Sequence, residues 1–456
     1  MSVPNQPRRV QMESYSLRNM YLSVLITNIS YLSVGMTLAW TSPTIPYLQH
    51  LLLLSPYQEA CISASCFFGA AFGPVFGKEL VERFGYRSVM FSHAVLYSVA
   101  LVLLAFSPSV ICLTVGRIVA GLACGMFLRY IPSYVMEIAD SEVYKVLSPT
   151  VLPTQALGYL LAYTLGPPQL TYHQLLWLYV SVPVMSLASY VWLPESAKHD
   201  VSKGKLDRAE VTIAFLRRGI STSATQAEVL FLQEKVTREP RTKSGLHSLL
   251  SDPADVRALT VMLTLSCLQP LSGTPIVLTL TQHLLTKSES LSNPNTATIV
   301  IGVVVFFISI IVSLFMRDYS CKRLLACSSI AMAVSMVLAG VYFNDMENVE
   351  GPSFQLTSWT LTSSVLLHLA TYQTGFANIC HGTYSMFSTQ KKEVAISTAM
   401  TTTFFFSSIA VFFYYLLDDH LGSAVTMWIF AFFCVVSALV SVTFIPDSLK
   451  FDFYAD

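Results

Sequence analysis

A chain of 456 residues with 53% apolar and only 12% charged residues, at a mean hydropathy of +0.57, carries more apolar surface than a water-soluble fold can hide. Its 27 basic and 27 acidic residues cancel, so no basic surface for nucleic acid is expected. The composition points to an all-α membrane protein.

Runs of about 18 or more mostly apolar residues mark membrane spans. The first, 19–43, follows a polar stretch bearing Arg8, Arg9 and Arg18. It is too long for a removed leader and has no small-residue cleavage site, so it is expected to stay as helix 1. Further spans are expected at 58–78, 88–106, 109–135, 146–166 and 174–193. Then comes the long hydrophilic stretch 194–256, in which Leu206–Arg218 spaces Ala209, Ile213 and Leu216 among charges. That spacing predicts short amphipathic helices. Six more spans are expected at 257–285, 296–316, 324–343, 358–387, 394–416 and 422–445.

Basic residues gather in alternate loops. One side holds the N-terminus, Lys78/Arg83/Arg87, Lys145, Lys198 through Arg257, Arg317/Lys322/Arg323, Lys391/Lys392 and Lys450, and the other holds Lys287. Because Lys and Arg are retained on the cytoplasmic side, both termini are expected there. The expected organisation is a tail (1–18), a six-helix bundle (19–193), a cytoplasmic linker (194–256), a second six-helix bundle (257–445) and a tail (446–456). A weak repeat relates the halves: Pro194-Glu195-Ser196 closes helix 6 and Pro446-Asp447-Ser448 closes helix 12. Pseudo-symmetric halves around a central site are a transporter architecture. The nine cysteines lie in helices or on the cytoplasmic side, where disulfides are not expected, and no metal-ligand spacing, phosphate loop or nucleophile constellation is present.

Motifs then narrow the reading. Helix 1 ends in Gly35…Trp40-Thr41-Ser42-Pro43…Pro46, and the turn after helix 2 reads Glu82-Arg83-Phe84-Gly85-Tyr86-Arg87. Helix 4 carries Gly116-Arg117…Gly121…Gly125…Pro132…Tyr134…Glu137, and helix 7 carries Gln269-Pro270-Leu271-Ser272-Gly273. With Pro194-Glu195-Ser196, these resemble the sugar porter family of major facilitators, most closely its insect facilitated trehalose transporter-like branch. The resemblance implies twelve transmembrane helices in two six-helix bundles, no cofactor, a sugar substrate and a monomer in the plasma membrane. It also implies a charge latch of Glu82, Arg83, Arg87, Arg117, Glu137 and Glu195 closing the cytoplasmic ends; ordinary solvated loop charges are the other reading of the same residues.

Substrate contacts should be uncharged and polar, because a sugar offers hydroxyls and no charge. The candidates are Gln269, Gln155, Ser272, Thr37, Trp40, Tyr372 and Asn378. For Gln269 an interhelical hydrogen bond stands beside substrate contact, and Ser272-Gly273 would allow a helix break. Departures from the family accompany them. Pro270 and Pro275 replace amide positions, Gln155 sits one turn from the expected glutamine position at Leu152, and helix 10 has Cys380 and Ser385 where a tryptophan and an acid are usual. Arg129 has no family counterpart; it either snorkels to water or serves a cavity. Thr37 stands where the resemblance to proton-driven porters places an acid, so transport without proton coupling is expected. A sugar sensor with little transport, or a carrier of another small organic solute, stays open. His368 and His381 are read first as satisfied core residues, with a proton relay as the alternative.

Overall fold

The computed structural model describes residues 16–106, 109–166, 170–238, 249–287, 293–315, 319–348, 358–378, 386–387 and 389–447. Among them lie α1 (Arg18–Ala39), α2 (Thr41–Leu52), α3 (Pro56–Phe84), α4 (Tyr86–Phe106), α5 (Val110–Ile138), α6 (Ser141–Leu147), α7 (Val151–Leu165) and α8 (Tyr172–Tyr190). Three helices cross the hydrophilic middle: α9 (Ala197–Ser202), α10 (Leu206–Leu216) and α11 (Thr222–Arg238). The second half holds α12 (Pro253–Leu271), α13 (Thr274–Thr279), α14 (Thr281–Thr286), α15 (Pro294–Phe315), α16 (Cys321–Asn348), α17 (Ser358–Thr374), α18 (Thr389–Leu421) and α19 (Ser423–Phe444). Among the described residues no strand forms, and an isolated bridge joins Ser16 to Arg218.

Eight helices, α1, α3, α4, α5, α15, α16, α18 and α19, are each long and apolar enough to cross a membrane unbroken. Among the described residues, four further helical stretches, α6 with α7, α8, the broken run α12–α14, and α17, stand at the remaining expected spans of the all-α bundle. Outward faces stay apolar, as with Phe72 and Phe76 on α3 and Phe432 and Leu439 on α19, because in lipid there is no water to solvate polar groups.

Three expected spans differ in detail. The first breaks at Trp40 and continues to Leu52 as α2, carrying Pro46 inside it. The seventh breaks twice: Gly273 takes φ +88°, a left-handed conformation natural to glycine, and a second interruption falls at Leu280. The tenth ends at Thr374 and is followed by a 3-10 turn, Phe376–Asn378; Cys380, His381 and Ser385 lie outside the described residues. Elsewhere local signals set the ends. Ser55 caps α3 in a reciprocal box with Gln58, with Pro56 at the first helical position, and Thr171 with Gln174 does the same for α8.

Helices α3 and α5 pack backbone to backbone. A Cβ on Gly121 would lie 1.8 Å from the Cys66 carbonyl oxygen, so the small residue is what allows the approach. Between halves, the Ser63 hydroxyl meets Tyr415 Oη at 3.2 Å, Ser408 donates to the Ala64 carbonyl at 3.1 Å, and Tyr163 donates to the Leu278 carbonyl at 2.7 Å. One buried apolar cluster runs across both halves. The middle helices gather around Ala197, Val201, Ala209, Ile213 and Val229 and are tied to the bundle by Arg217, which pairs with Asp140 at 2.6 Å and with Glu228.

Candidate functional site

The first break in α12–α14 gathers buried polar side chains of the second half. Gln269, next to the first break, is buried; its Nε2 donates to Tyr372 Oη at 3.0 Å and to the Phe376 carbonyl at 3.1 Å. Its Oε1 is buried and meets no donor among the described residues. An amide oxygen so placed can accept a hydroxyl from a solute. Ser272 is turned inward instead: its hydroxyl donates to the Gln269 carbonyl at 2.6 Å and lies 3.0 Å from Thr274. Thr274 touches His368 Nε2 at 3.1 Å, and His368 Nδ1 meets Ser335 at 3.2 Å, so both ring nitrogens are engaged by hydroxyls.

The opposite half contributes Gln155, whose Nε2 donates to Tyr159 Oη at 2.7 Å. Gln155 with Tyr159 in one half and Gln269 with Tyr372 in the other are thus two uncharged hydrogen-bonded pairs, together a polar track of side chains. Asn378 ends the 3-10 turn that supplies the Phe376 carbonyl. Tyr159 was not among the residues expected from sequence. A tyrosine one turn after Gln155 was the available signal, since residues four apart share a helix face.

Thr37 and Trp40 both border Arg117. Arg117 is 1% exposed and donates from Nη1 to the Thr37 carbonyl at 2.7 Å, with its guanidinium carbon 5.0 Å from the centre of the Trp40 ring. The Thr37 hydroxyl bonds the Ser33 carbonyl within its own helix at 2.7 Å. A backbone carbonyl and an aromatic face therefore hold the charge that an acid would otherwise hold.

The expected latch is assembled differently. Glu82 reaches Lys78 at 3.7 Å and Arg83 pairs with Glu79, all within one exposed face of α3. Glu137 does not pair with Arg87: it accepts from Tyr86 Oη at 3.3 Å and from the Ser196 hydroxyl. Arg87 turns toward the Tyr190 and Val191 carbonyls at 3.5 and 3.4 Å. The reason is Glu195. Its carboxylate caps α4, accepting from the Tyr86 and Arg87 amides at 2.8 and 3.1 Å, where a helix N-terminus favours an anion. Gly85, at φ +93°, makes room: a Cβ there would lie 2.3 Å from Glu195 Oε2.

The ion pair that joins the halves is one the sequence reading missed. Arg129 on α5 pairs with the Glu393 carboxylate on α18, donates to the Glu393 carbonyl at 2.9 Å and to the Ser397 hydroxyl at 2.7 Å, and reaches Ser133 at 3.2 Å. Its side chain is 2% exposed, so it does not snorkel. Glu393 follows Lys391-Lys392 and reads as one more loop charge; a lone arginine in a span was the signal that an acid must face it. At the opposite end Lys287 pairs with Asp418, and the Gln282 amide donates to Ser42 at 3.0 Å, linking the halves again.

With this geometry in place, comparison with known proteins is decisive at family level. The family profile described as "Sugar (and other) transporter" matches residues 27–455. The chain belongs to that family. It is 23% identical over 432 residues to the facilitated trehalose transporter Tret1 of Bombyx mori, covering 94% of this chain and 84% of that protein. The Culex quinquefasciatus Tret1 gives 24% over 435 residues, with 94% and 83% covered. Against Drosophila virilis Tret1, at 24% identity, the chain spans 47% of the relative's length. In structure it is similar to the partially occluded, inward-open Escherichia coli xylose transporter XylE, with TM-score 0.76 at 18% identity over 95% of this chain and all of that one. A POT family transporter gives TM-score 0.63 at 14% identity over 93% of this chain and 94% of that one. The fold is that of a major facilitator, and family and fold are those of transporters rather than enzymes.

Proposed function

We propose that the chain is a facilitative carrier of an uncharged sugar, trehalose- or hexose-like, working by alternating access without proton coupling. The observation that carries this is the buried Oε1 of Gln269, which meets no donor among the described residues, on an amide that also bonds Tyr372; the other half offers the Gln155–Tyr159 pair. Neutral amides and hydroxyls suit a solute rich in hydroxyls and lacking charge. The relatives named facilitated trehalose transporters support the mode, whereas one XylE structure is titled a proton:xylose symporter. Asn378 and Ser272 are further candidate contacts, and the Arg129–Glu393 pair acts as the gate that must part when the neighbouring ends separate. Both termini and the 194–256 linker are cytoplasmic, between bundles 19–193 and 257–445, in a plasma-membrane monomer. Saturable uptake of radiolabelled trehalose, glucose or a polyol into proteoliposomes is the expected result; no saturable flux of any would overturn the proposal. Labelling of either terminus from outside intact cells would overturn the topology.

A sugar sensor is the second reading, favoured by Pro270 and Pro275 standing at amide positions of the family motif. Solute binding by calorimetry with no flux in the same preparation would select it.

A further inference from the structure

We propose that the groove between the α3–α4 turn, the end of α8 and α10 binds the headgroup of an anionic phospholipid. The groove, 820 Å³, is lined by four cations: Arg83 and Arg87 from the turn and Lys205 and Arg208 from α10 and its approach. Arg87 Nε is buried without a partner among the described residues, and its Nη2 contacts two carbonyls at 3.4 and 3.5 Å. Lys205 and Arg208 are exposed and make no ion pair among the described residues. Three acids also line the groove. Glu195 is spent on the Tyr86, Arg87 and Ser196 amides, Asp200 is 5% exposed, and Asp207 sits in the first turn of α10, where the helix dipole holds it.

The rim says which phosphate compound fits. Trp192 is 78% exposed just past the end of α8, and Phe84 is exposed at the end of α3. On α10, Ala209, Ile213 and Leu216 are buried, while Arg208, Val211 and Phe215 line the groove from one exposed face. A helix with cations beside outward apolar residues, next to a tryptophan where a span ends, has the pattern of a bilayer-surface element. A free phosphate uses only the cations; a phospholipid uses the cations and the apolar rim together.

The inference rests on the membrane-spanning fold and not on the solute carried, so it is tested without transport. Purified full-length protein is titrated with dioctanoyl phosphatidylinositol 4-phosphate, dioctanoyl phosphatidylcholine and soluble inositol 1,4-bisphosphate, and adducts are counted by native mass spectrometry. The phosphoinositide is expected to bind at least about tenfold more tightly than either comparator, and the Lys205→Glu/Arg208→Glu double variant to weaken it by about tenfold or more. Equal binding of phosphatidylcholine, inositol bisphosphate binding as tightly as the lipid, or an unaffected double variant would each overturn the site. Should the variant aggregate, the wild-type protein is photo-crosslinked with a photoactivatable phosphoinositide. Crosslinks within 83–91 or 192–215 support the site, and crosslinks confined elsewhere refute it.

Discussion

At Gln269 one amide does two things: its nitrogen ties α12 to α17 through Tyr372 and Phe376, and its oxygen is left without a protein donor. Removing it should therefore affect both solute and packing, and the two are separable. Gln269→Ala is expected to weaken solute binding by about 0.5–1.5 kcal/mol, roughly a two- to tenfold higher apparent transport constant. Tyr372→Phe removes only the hydroxyl that accepts from Nε2 and should have a smaller effect. Concentration-dependent uptake with matched surface expression checks both, and an unchanged constant for Gln269→Ala would exclude direct contact. The break beside Gln269 was legible from its motif, because glycine after serine is a local instruction. Thr37 and Trp40 were proposed as solute contacts from the same kind of motif, and the structure adds that the Thr37 carbonyl and the Trp40 ring also hold Arg117. A motif fixes which residues recur together but not which way each side chain faces.

Between helices, the Arg129–Glu393 pair is the contact with most to lose. Arg129 is buried and four of its contacts reach Ser133, Glu393 and Ser397. Glu393 keeps 54% of its side chain exposed, so the coupling should fall below that of a fully buried pair, at about 0.5–3 kcal/mol. Arg129→Glu and Glu393→Arg should each impair transport, and the double swap should restore part of it. Strictly additive damage would remove the pair from the gate. The close approach of α3 and α5 gives an independent expectation: Gly121→Val pushes a side chain into the Cys66 carbonyl and should cost about 1–3 kcal/mol of overpacking, read as a lower melting temperature in detergent. The helices and this packing stripe were readable because apolar length and small-residue spacing are local properties. The ion-pair partners were not, since Arg129 and Glu393 are 264 positions apart and only the tertiary fold brings them together. Glu137 was misassigned for the same reason: Glu195 reaches the α4 terminus first and leaves Glu137 to Tyr86 and Ser196.

For the whole molecule, the question is what drives the rocking of one half against the other. A proton can drive it only if a group in the path changes protonation as the halves exchange sides. Near the central track the partners are Gln155, Tyr159, Tyr372 and Gln269, none of them an acid, and His368 is bonded on both nitrogens by Thr274 and Ser335. Arg117 is permanently charged and is held by the Thr37 carbonyl and the Trp40 ring, so it has no carboxylate with which to exchange a proton. Glu393 is paired with Arg129 in this structure, at the end of the bundle rather than on the track. Among the described residues of the membrane-spanning helices, Glu59 is the other acid to weigh; it is buried in the first turn of α3, at the end where Lys287 and Asp418 pair. The expected behaviour is downhill transport. Proteoliposomes given an inward pH gradient and equal solute on both sides should show no net accumulation, and a protonophore should leave initial exchange rates unchanged. Accumulation above the equilibrium level that collapses with protonophore would establish coupling, and repeating the assay with Glu59→Gln and His368→Gln would then assign the proton to one group or the other.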